Sequence, residues 1–324
     1  MRASVVLVLV TVGTWNLENL FRPGEESGSP SGRAEYVAKL DSLAATITAL
    51  APDVLAVQEV GGPEALTDLV GRLDGRWHTE LAEPDGRGIR VGVVSRRALT
   101  KVDQVRDFPD RLAPVQADDD GTTLTTLGRP ALRVRVRVAG VSLDVISAHL
   151  KSKLLTFPGG RFSPADEDER ARYAVYALHR RAAEAAGIRA YVTGLLDGQG
   201  QERAVLVAGD LNDEVQAATT QILLGPPGSE YGTDGFQRPD SGDGARLWNL
   251  APRIPEGDRF SRIYRGRREL IDHLLVSHAL LETVHEVTTV APGGVATPSI
   301  TDQPTARRDS PASDHRPVLA TLDL

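Results

Sequence analysis

Six short segments of this chain place oxygen- and nitrogen-bearing side chains where an apolar run has just ended or is about to begin. They are Thr14-Trp15-Asn16-Leu17-Glu18-Asn19, Leu55-Ala56-Val57-Gln58-Glu59-Val60, Ser147-Ala148-His149-Leu150, Ala208-Gly209-Asp210-Leu211-Asn212, Leu270-Ile271-Asp272-His273 and Ser313-Asp314-His315-Arg316-Pro317. A β-branched run that ends in a carboxylate, amide or imidazole delivers that group to the rim of a sheet. Carboxylate and amide oxygens suit a hard divalent cation such as Mg²⁺ or Mn²⁺. Imidazoles beside them can hold or move protons near neutral pH. Asn16, Glu59, His149, Asp210, Asn212, Asp272, Asp314 and His315 on one rim would therefore suit metal-assisted hydrolysis of a phosphate ester.

Other chemistries find little support. The chain has no cysteine, which excludes disulfides, thiolate metal sites and cysteine nucleophiles. Its seven histidines form no His-Glu-x-x-His pair, and His273, His278 and His285 look scattered, so a zinc reading is poor. No Gly-x-Ser-x-Gly elbow is present, and Gly61-Gly62 and Gly293-Gly294 lack the Lys-Ser/Thr of a phosphate loop.

The elements that must position these groups follow from the apolar pattern. Short β-branched runs at 5–15, 54–60, 91–95, 132–138, 141–149, 204–209, 271–277 and 317–323 predict strands. Helical spacing covers 33–50, where Tyr36, Val37, Leu40, Leu43, Ala44, Ile47 and Leu50 form a stripe, and also 63–74 and 166–187. Pro52 ends the first helix. Strands alternating with helices predict α/β layering, and Arg133, Arg135 and Arg137 in alternation predict a strand with one solvent face, hence an antiparallel portion. Loops rich in Gly, Pro, Asp and Ser fill 22–32, 109–130, 155–165, 225–245 and 291–313. No repeat or interdomain linker interrupts 1–324, which predicts a single catalytic domain.

With 41% hydrophobic residues and 25% charged ones the chain can bury a sizeable core. A net charge of −7 argues against binding through a broad basic surface, although local basic clusters remain. Arg87 and Arg90 precede one strand, Lys151 and Lys153 alternate after His149, and Arg259, Arg262, Arg265, Arg267 and Arg268 run into the strand holding Asp272. Arginine forks match phosphate geometry, whereas lysines act as point charges. The apolar start, Val5 to Val12, passes straight into Thr14-Trp15-Asn16 and is too short to span a bilayer, so it predicts a first core strand rather than a leader. The expectation is a cytoplasmic monomer without stable membrane insertion, export being the alternative.

The six segments, in this order and over nearly the whole chain, resemble the endonuclease/exonuclease/phosphatase superfamily, to which pancreatic-type deoxyribonuclease, abasic-site nucleases, neutral sphingomyelinases and inositol polyphosphate 5-phosphatases belong. The resemblance implies a four-layer α/β sandwich with two mixed sheets face to face, helices outside and the site at one end. It implies that Glu59 binds Mg²⁺ or Mn²⁺ with Asn16 and Asp314 nearby, and that Asp210 positions or deprotonates the attacking water. Asn212 would align that water, His315 would contact the scissile phosphate, and Asp272 would bond the other nitrogen of His315. Glu18 is a candidate second metal ligand. His149 matches the second imidazole of deoxyribonuclease-like members, where abasic-site nucleases carry Tyr. The string Ala-His-Leu-Lys-Ser-Lys is similar to one in exported bacterial nucleases, making Lys151 and Lys153, with Arg87 and Arg90, candidate phosphate contacts. The implied substrate is a phosphodiester, in DNA or RNA first. The alternatives are a small phosphorylated molecule or lipid headgroup, or a non-catalytic binding module of the same fold.

Overall fold

The computed structural model describes residues 8–26, 28–231, 233, 236, 238–289, 296–303 and 306–324. Its two main sheets each have six strands and are built around one parallel pair. The first runs β15 (Val284–Thr289), β17 (Val318–Asp323), β1 (Leu9–Leu20), β2 (Val54–Val60), β4 (Arg90–Ser95), β3 (His78–Leu81). The second runs β11 (Leu247–Asn249), β14 (Asp272–Ser277), β10 (Ala204–Asp210), β9 (Val141–His149), β8 (Thr126–Val138), β5 (Leu99–Asp107). A three-stranded sheet of β13 (Arg267–Glu269), β12 (Arg262–Tyr264) and β16 (Ser299–Ile300), and a ribbon of β6 (Val115–Gln116) and β7 (Thr123–Leu124), complete the strands.

The strand sequences alternate between two cores because successive side chains point to opposite faces. Val12, Ala56, Val134, Val145, Leu206, Ala208 and Leu274 meet between the sheets. Trp15, Leu55 and Val57 face outward onto α1 (Arg33–Leu50) and α2 (Pro63–Val70). Ile146, Val205 and Val207 face outward onto α3 (Glu167–Leu196) and α4 (Ala218–Leu224). The result is four layers, helix, sheet, sheet, helix, and the central strands are apolar on both faces. No described helix is long and apolar enough to cross a membrane.

Strand direction decides where the polar groups go. β1 and β2 are parallel, as are β9 and β10, so the C-terminal ends of each pair lie together. β14 and β17 run antiparallel to them and begin where those strands finish. In register, Asp210 lies opposite both His149 and Asp272. Six segments far apart in sequence thus reach one rim.

The elements differ from the sequence expectations in places. Residues 5–7 of the first expected strand lie outside the described residues, as do parts of the expected loops at 22–32, 225–245 and 291–313; β1 itself extends past Thr14-Trp15 to Leu20. The second helix stops at Val70, four residues short of the expected end, where Gly71 caps it. The third helix runs to Leu196, nine residues beyond the expected end at Gly187. There the glycine admits a neighbouring strand: a Cβ would sit 2.9 Å from the Asp107 carbonyl oxygen. Ile188, Val192 and Leu196 continue the buried stripe. The expected solvent face of β8 is a correction. Asp144 on β9 binds both Arg133 (Nε to Oδ1, 2.8 Å) and Arg135 (Nη2 to Oδ2, 2.7 Å), burying the first and leaving only Arg137 exposed. β3 and β5 escaped the sequence reading because they are polar strands that bury few side chains, β15 because Val284 and Val287 are its only apolar residues, and β8 begins inside the expected loop 109–130.

Gly209 is demanded by the approach of β9. A Cβ there would lie 2.0 Å from the Ala148 carbonyl oxygen, inside the parallel ladder. Overpacking of this kind costs typically about 1–3 kcal/mol. Gly209→Ala is therefore expected to lower the unfolding free energy read from a urea titration by that much, and an unchanged midpoint would show that the ladder can relax.

Candidate active site

The strand ends at this rim are bent rather than straight. The β1–β2 register breaks between Asn16 and Leu20, and the β2–β4 register breaks between Val57 and Val60. Glu18, Asn19, Glu59 and Asn212 adopt φ of 51°, 54°, 58° and 53°. They are four of the nine described non-glycine residues with positive φ, and all four line one cavity of about 370 Å³. Such bulges re-aim side chains, and left-handed backbone at a non-glycine residue persists only where its surroundings hold it. Here the holding contacts are visible. Asn16 Oδ1 accepts from the Glu18 N–H at 2.9 Å, Glu59 Oε2 from the Asn19 N–H at 3.0 Å, and Asp210 Oδ1 from the Asn212 N–H at 2.8 Å.

The side chains converge on Asp210. The Asn16 amide Nδ2 donates to Asp210 Oδ2 (3.0 Å) and to Glu59 Oε1 (3.2 Å), joining the two sheets. His149 Nε2 lies 3.5 Å and His315 Nε2 4.0 Å from Asp210 Oδ2. His315 Nδ1 is 2.7 Å from Asp272 Oδ2. The segment 313–316 forms bends before β17 begins, so strand alternation does not separate Asp314 from His315, and both line the cavity. That segment is tied to β1 by three bonds: Trp15 Nε1 to the His315 carbonyl (2.9 Å), Ser313 Oγ to the Asn16 carbonyl (2.7 Å), and the Asp314 N–H to Glu18 Oε2 (2.8 Å).

Their charged neighbours give the two buried imidazoles opposite charge states. Burial by itself would lower the His315 pKa, but the carboxylates of Asp272, Asp314 and Asp210, with the Asp272 hydrogen bond, carry it up to about 10. His149 is pushed well below its usual value by burial first, then by Arg129 and His315. Asp210 is raised to about 6 by burial and repulsion from Asp272, opposed by His315, Arg262 and the Asn16 bond. At neutral pH the site therefore holds one neutral imidazole, one imidazolium, and a mostly ionised carboxylate between them. Pairs of groups whose surroundings push their pKa values apart mark acid–base assignments.

Asp210, Asp272 and His315 form a buried cluster whose ligand atoms lie within 4.8 Å of one another. In that cluster His315 Nδ1 is committed to Asp272, so its free donors are mainly carboxylate oxygens. Glu59, Asp210 and Asp314 line the same cavity, and none forms an ion pair with lysine or arginine among the described residues. Carboxylates facing one gap without a lysine or arginine paired to them fit a hard divalent cation. Glu18 fits that role less well. Arg307 clamps it through two bonds (2.8 and 3.1 Å), it accepts from the Asp314 N–H at 2.8 Å, and burial with the charge of Asp314 raises its pKa to about 7.

Of the twelve side chains singled out from the sequence, Glu59, His149, Asp210, Asn212, Asp314, His315, Lys153 and Arg87 line the cavity. Asn16 and Asp272 stand directly behind it, holding Glu59, Asp210 and His315. Lys151 and Arg90 are not in the lining. The Lys151 ammonium turns back to the carbonyls of Ser152 (2.9 Å) and Leu154 (2.7 Å), and burial lowers its pKa to about 7. Arg90 Nη1 donates to the Gly61 carbonyl at 2.7 Å and to that of Gly88 at 3.1 Å. Lys153 reaches the cavity while paired with Asp213 at 3.0 Å. Sequence reasoning missed Arg307 and Tyr264 in the lining. Arg307 gave no local signal, because its partner Glu18 lies 289 residues away.

Comparison with known proteins agrees with this architecture. The fold matches truncated TDP2 from Caenorhabditis elegans at a TM-score of 0.57 and 15% identity, covering 98% of each chain. An endonuclease/exonuclease/phosphatase family protein from Leptotrichia buccalis matches at 0.53 and 14%, covering 97% of this chain and all of the other. The human Nocturnin catalytic domain with bound sulfate anion also matches at 0.53 and 14%, covering 97% and 93%. Likeness at such low identity is one of fold. No curated protein sequence matches the chain. The family model for endonucleases, exonucleases and phosphatases, in contrast, matches residues 13–315. With the rim groups assembled as described, the chain belongs to the Endonuclease/Exonuclease/phosphatase family.

Proposed function

We propose that this chain is a divalent-metal-dependent phosphodiester hydrolase that cleaves DNA or RNA by in-line attack of water. One observation carries the reading: Asp210 Oδ2 stands 3.5 Å from His149 Nε2 and 4.0 Å from His315 Nε2, and Asn16 links it to Glu59. When bound, Mg²⁺ or Mn²⁺ held by Glu59, with Asn16 and Asp314 alongside, supplies Lewis-acid stabilisation of charge on the phosphoryl and leaving oxygens.

The chain's own groups supply the rest. Asp210, with its pKa near the working range, accepts the proton of the attacking water. Asn212 is locked by its Nδ2 bond to the Leu150 carbonyl (3.0 Å) and its backbone bond to Asp210, so its side chain aligns that water. His315 donates through Nε2–H to a phosphoryl oxygen, with Asp272 holding the proton on the other nitrogen. His149, neutral and facing Asp210, adds a second hydrogen-bonding contact without a second positive charge. Arg87 and Lys153 draw the polyanion to the mouth of the cavity. The two fixed imidazoles act as preorganised electrostatic stabilisers of the pentacoordinate phosphorane.

Asp210→Asn and His315→Gln should each lower kcat on the substrate that wild type cleaves by about 100-fold or more. Wild type and variants would be assayed with Mg²⁺ or Mn²⁺ on plasmid DNA, single-stranded DNA, RNA, bis-p-nitrophenyl phosphate and an inositol phosphate. Chelation with EDTA should abolish activity and re-addition of cation restore it. Near wild-type turnover by either variant, or full activity in EDTA, would remove the mechanism; turnover confined to the inositol phosphate would move the substrate class.

The pH profile provides an independent check. Activity needs Asp210 ionised and His315 protonated, so kcat/KM should rise through about pH 6 and fall toward about pH 10. Asp272 raises both values. Asp272→Asn should therefore move both limbs to lower pH, the alkaline limb most. An alkaline limb that stays in place would separate it from His315.

A further inference from the structure

The arginine run at 259–268 divides into two groups once folded. Arg259 donates to the carbonyls of Ile254 (2.8 Å) and Pro252 (3.2 Å), Arg265 pairs with Asp302, and Arg268 donates to the Gly257 carbonyl (3.0 Å) while its guanidinium covers the Phe260 ring at 4.3 Å. Those three hold loops together. Arg262 and Arg267 instead face the catalytic cavity. Strand periodicity explains the split. In the β12–β13 ladder Arg262 lies opposite Glu269, Ile263 opposite Arg268 and Tyr264 opposite Arg267, so Arg262, Tyr264, Arg267 and Glu269 share one face, and all four line the cavity.

Arg262 is the inner member of that face. Its neighbour Ser261 is fixed against the catalytic strand, with Oγ accepting from the N–H groups of Ile271 (3.1 Å) and Asp272 (3.2 Å). The side chain of Arg262 is 15% exposed, and Nη2 donates to Glu269 Oε2 at 2.8 Å. Among the described residues Glu269 is its single acceptor, and Nε is buried with no partner. A guanidinium carries five N–H donors in a rigid fork. Its charge acts on Asp210 and Asp314, yet it forms no ion pair with either, so it is more than a counter-ion closed onto them.

We propose that Arg262 contacts the phosphate that is cut, its free N–H groups taking a phosphoryl oxygen beside Asp210 while Glu269 holds the guanidinium in position; this rests on the phosphodiesterase reading given above. Planar, bidentate donors suit a phosphate better than a lysine at the same place. The role makes Arg262 a catalytic residue of the site, supplied by the small accessory sheet instead of the two main ones.

The test compares wild type, Arg262→Gln, Arg262→Lys and Glu269→Gln on bis-p-nitrophenyl phosphate, which carries a single phosphate and no base. Arg262→Gln should lower kcat/KM by about 100-fold, with Arg262→Lys recovering part of the loss and Glu269→Gln losing far less than either. A fall of equal size in Arg262→Gln and Glu269→Gln would reduce Arg262 to a structural ion pair, and an unchanged Arg262→Gln would end the proposal. Wild type inactive here and also on plasmid DNA, single-stranded DNA and RNA would instead sink the parent reading, and Arg262 would then be judged by binding: inorganic phosphate with Mg²⁺ should raise the Tm of wild type and not that of Arg262→Gln. An equal rise in both proteins, or none in wild type, would overturn the assignment.

Discussion

The two hydrogen bonds donated by Asn16 Nδ2 are the point on which the site turns. One goes to Glu59 within the first sheet and the other to Asp210 in the second. Two sheets packed only through Val, Leu and Ala side chains have some freedom to slide, because apolar burial is non-directional. A buried amide shared by two carboxylates is directional and costly to leave unmade. It holds the metal-binding candidate and the general-base candidate at fixed separation, and both lie where the apolar layer between the sheets ends.

Around that link the protein spends conformational freedom in a consistent way. Left-handed backbone at Glu18, Asn19, Glu59 and Asn212 occurs where strands must stop and turn their side chains into the cavity. Glu18, Asn19 and Asn212 are each secured by a side chain already part of the site, so structural support and chemistry use the same atoms. The segment 313–316 follows the same logic, since Trp15 and Ser313 anchor it to β1 instead of to the solvent side. Two histidines with the same intrinsic pKa then acquire opposite charge states: His315 has Asp272 at 2.7 Å, whereas His149 has a buried Nδ1 without a partner among the described residues and cations nearby.

The accessory sheet shows how a local charge pattern gains meaning from register. Five arginines within ten residues look equivalent as sequence. Pairing of β12 with β13 sends Arg262 and Arg267 toward the cavity and Arg268 to the opposite face, over Phe260. The same distinction separates Lys153 from Lys151. The lysines alternate in sequence, but the chain leaves the strand at His149, and only Lys153 emerges at the cavity.

The amino-acid sequence alone determined the central strands, the α1 helix and the order in which Asn, Glu, His, Asp and Asp-His groups meet the rim. Those features are written locally: a strand buried on both faces needs an unbroken β-branched run, and a helix against a sheet needs a stripe every three to four residues. What only the tertiary structure decided are the properties that depend on partners distant in the chain. Arg307 is positioned by Glu18, Arg133 is buried by Asp144 across a strand pair, and Lys151 is turned away by carbonyls of its own loop. Edge strands such as β5 and β15 were hidden for a related reason, since hydrogen bonds to a neighbour define them more than their own side chains do. Charge state belongs to the same class, because burial and neighbouring carboxylates, which set whether an imidazole holds its proton, exist only after the sheets have closed.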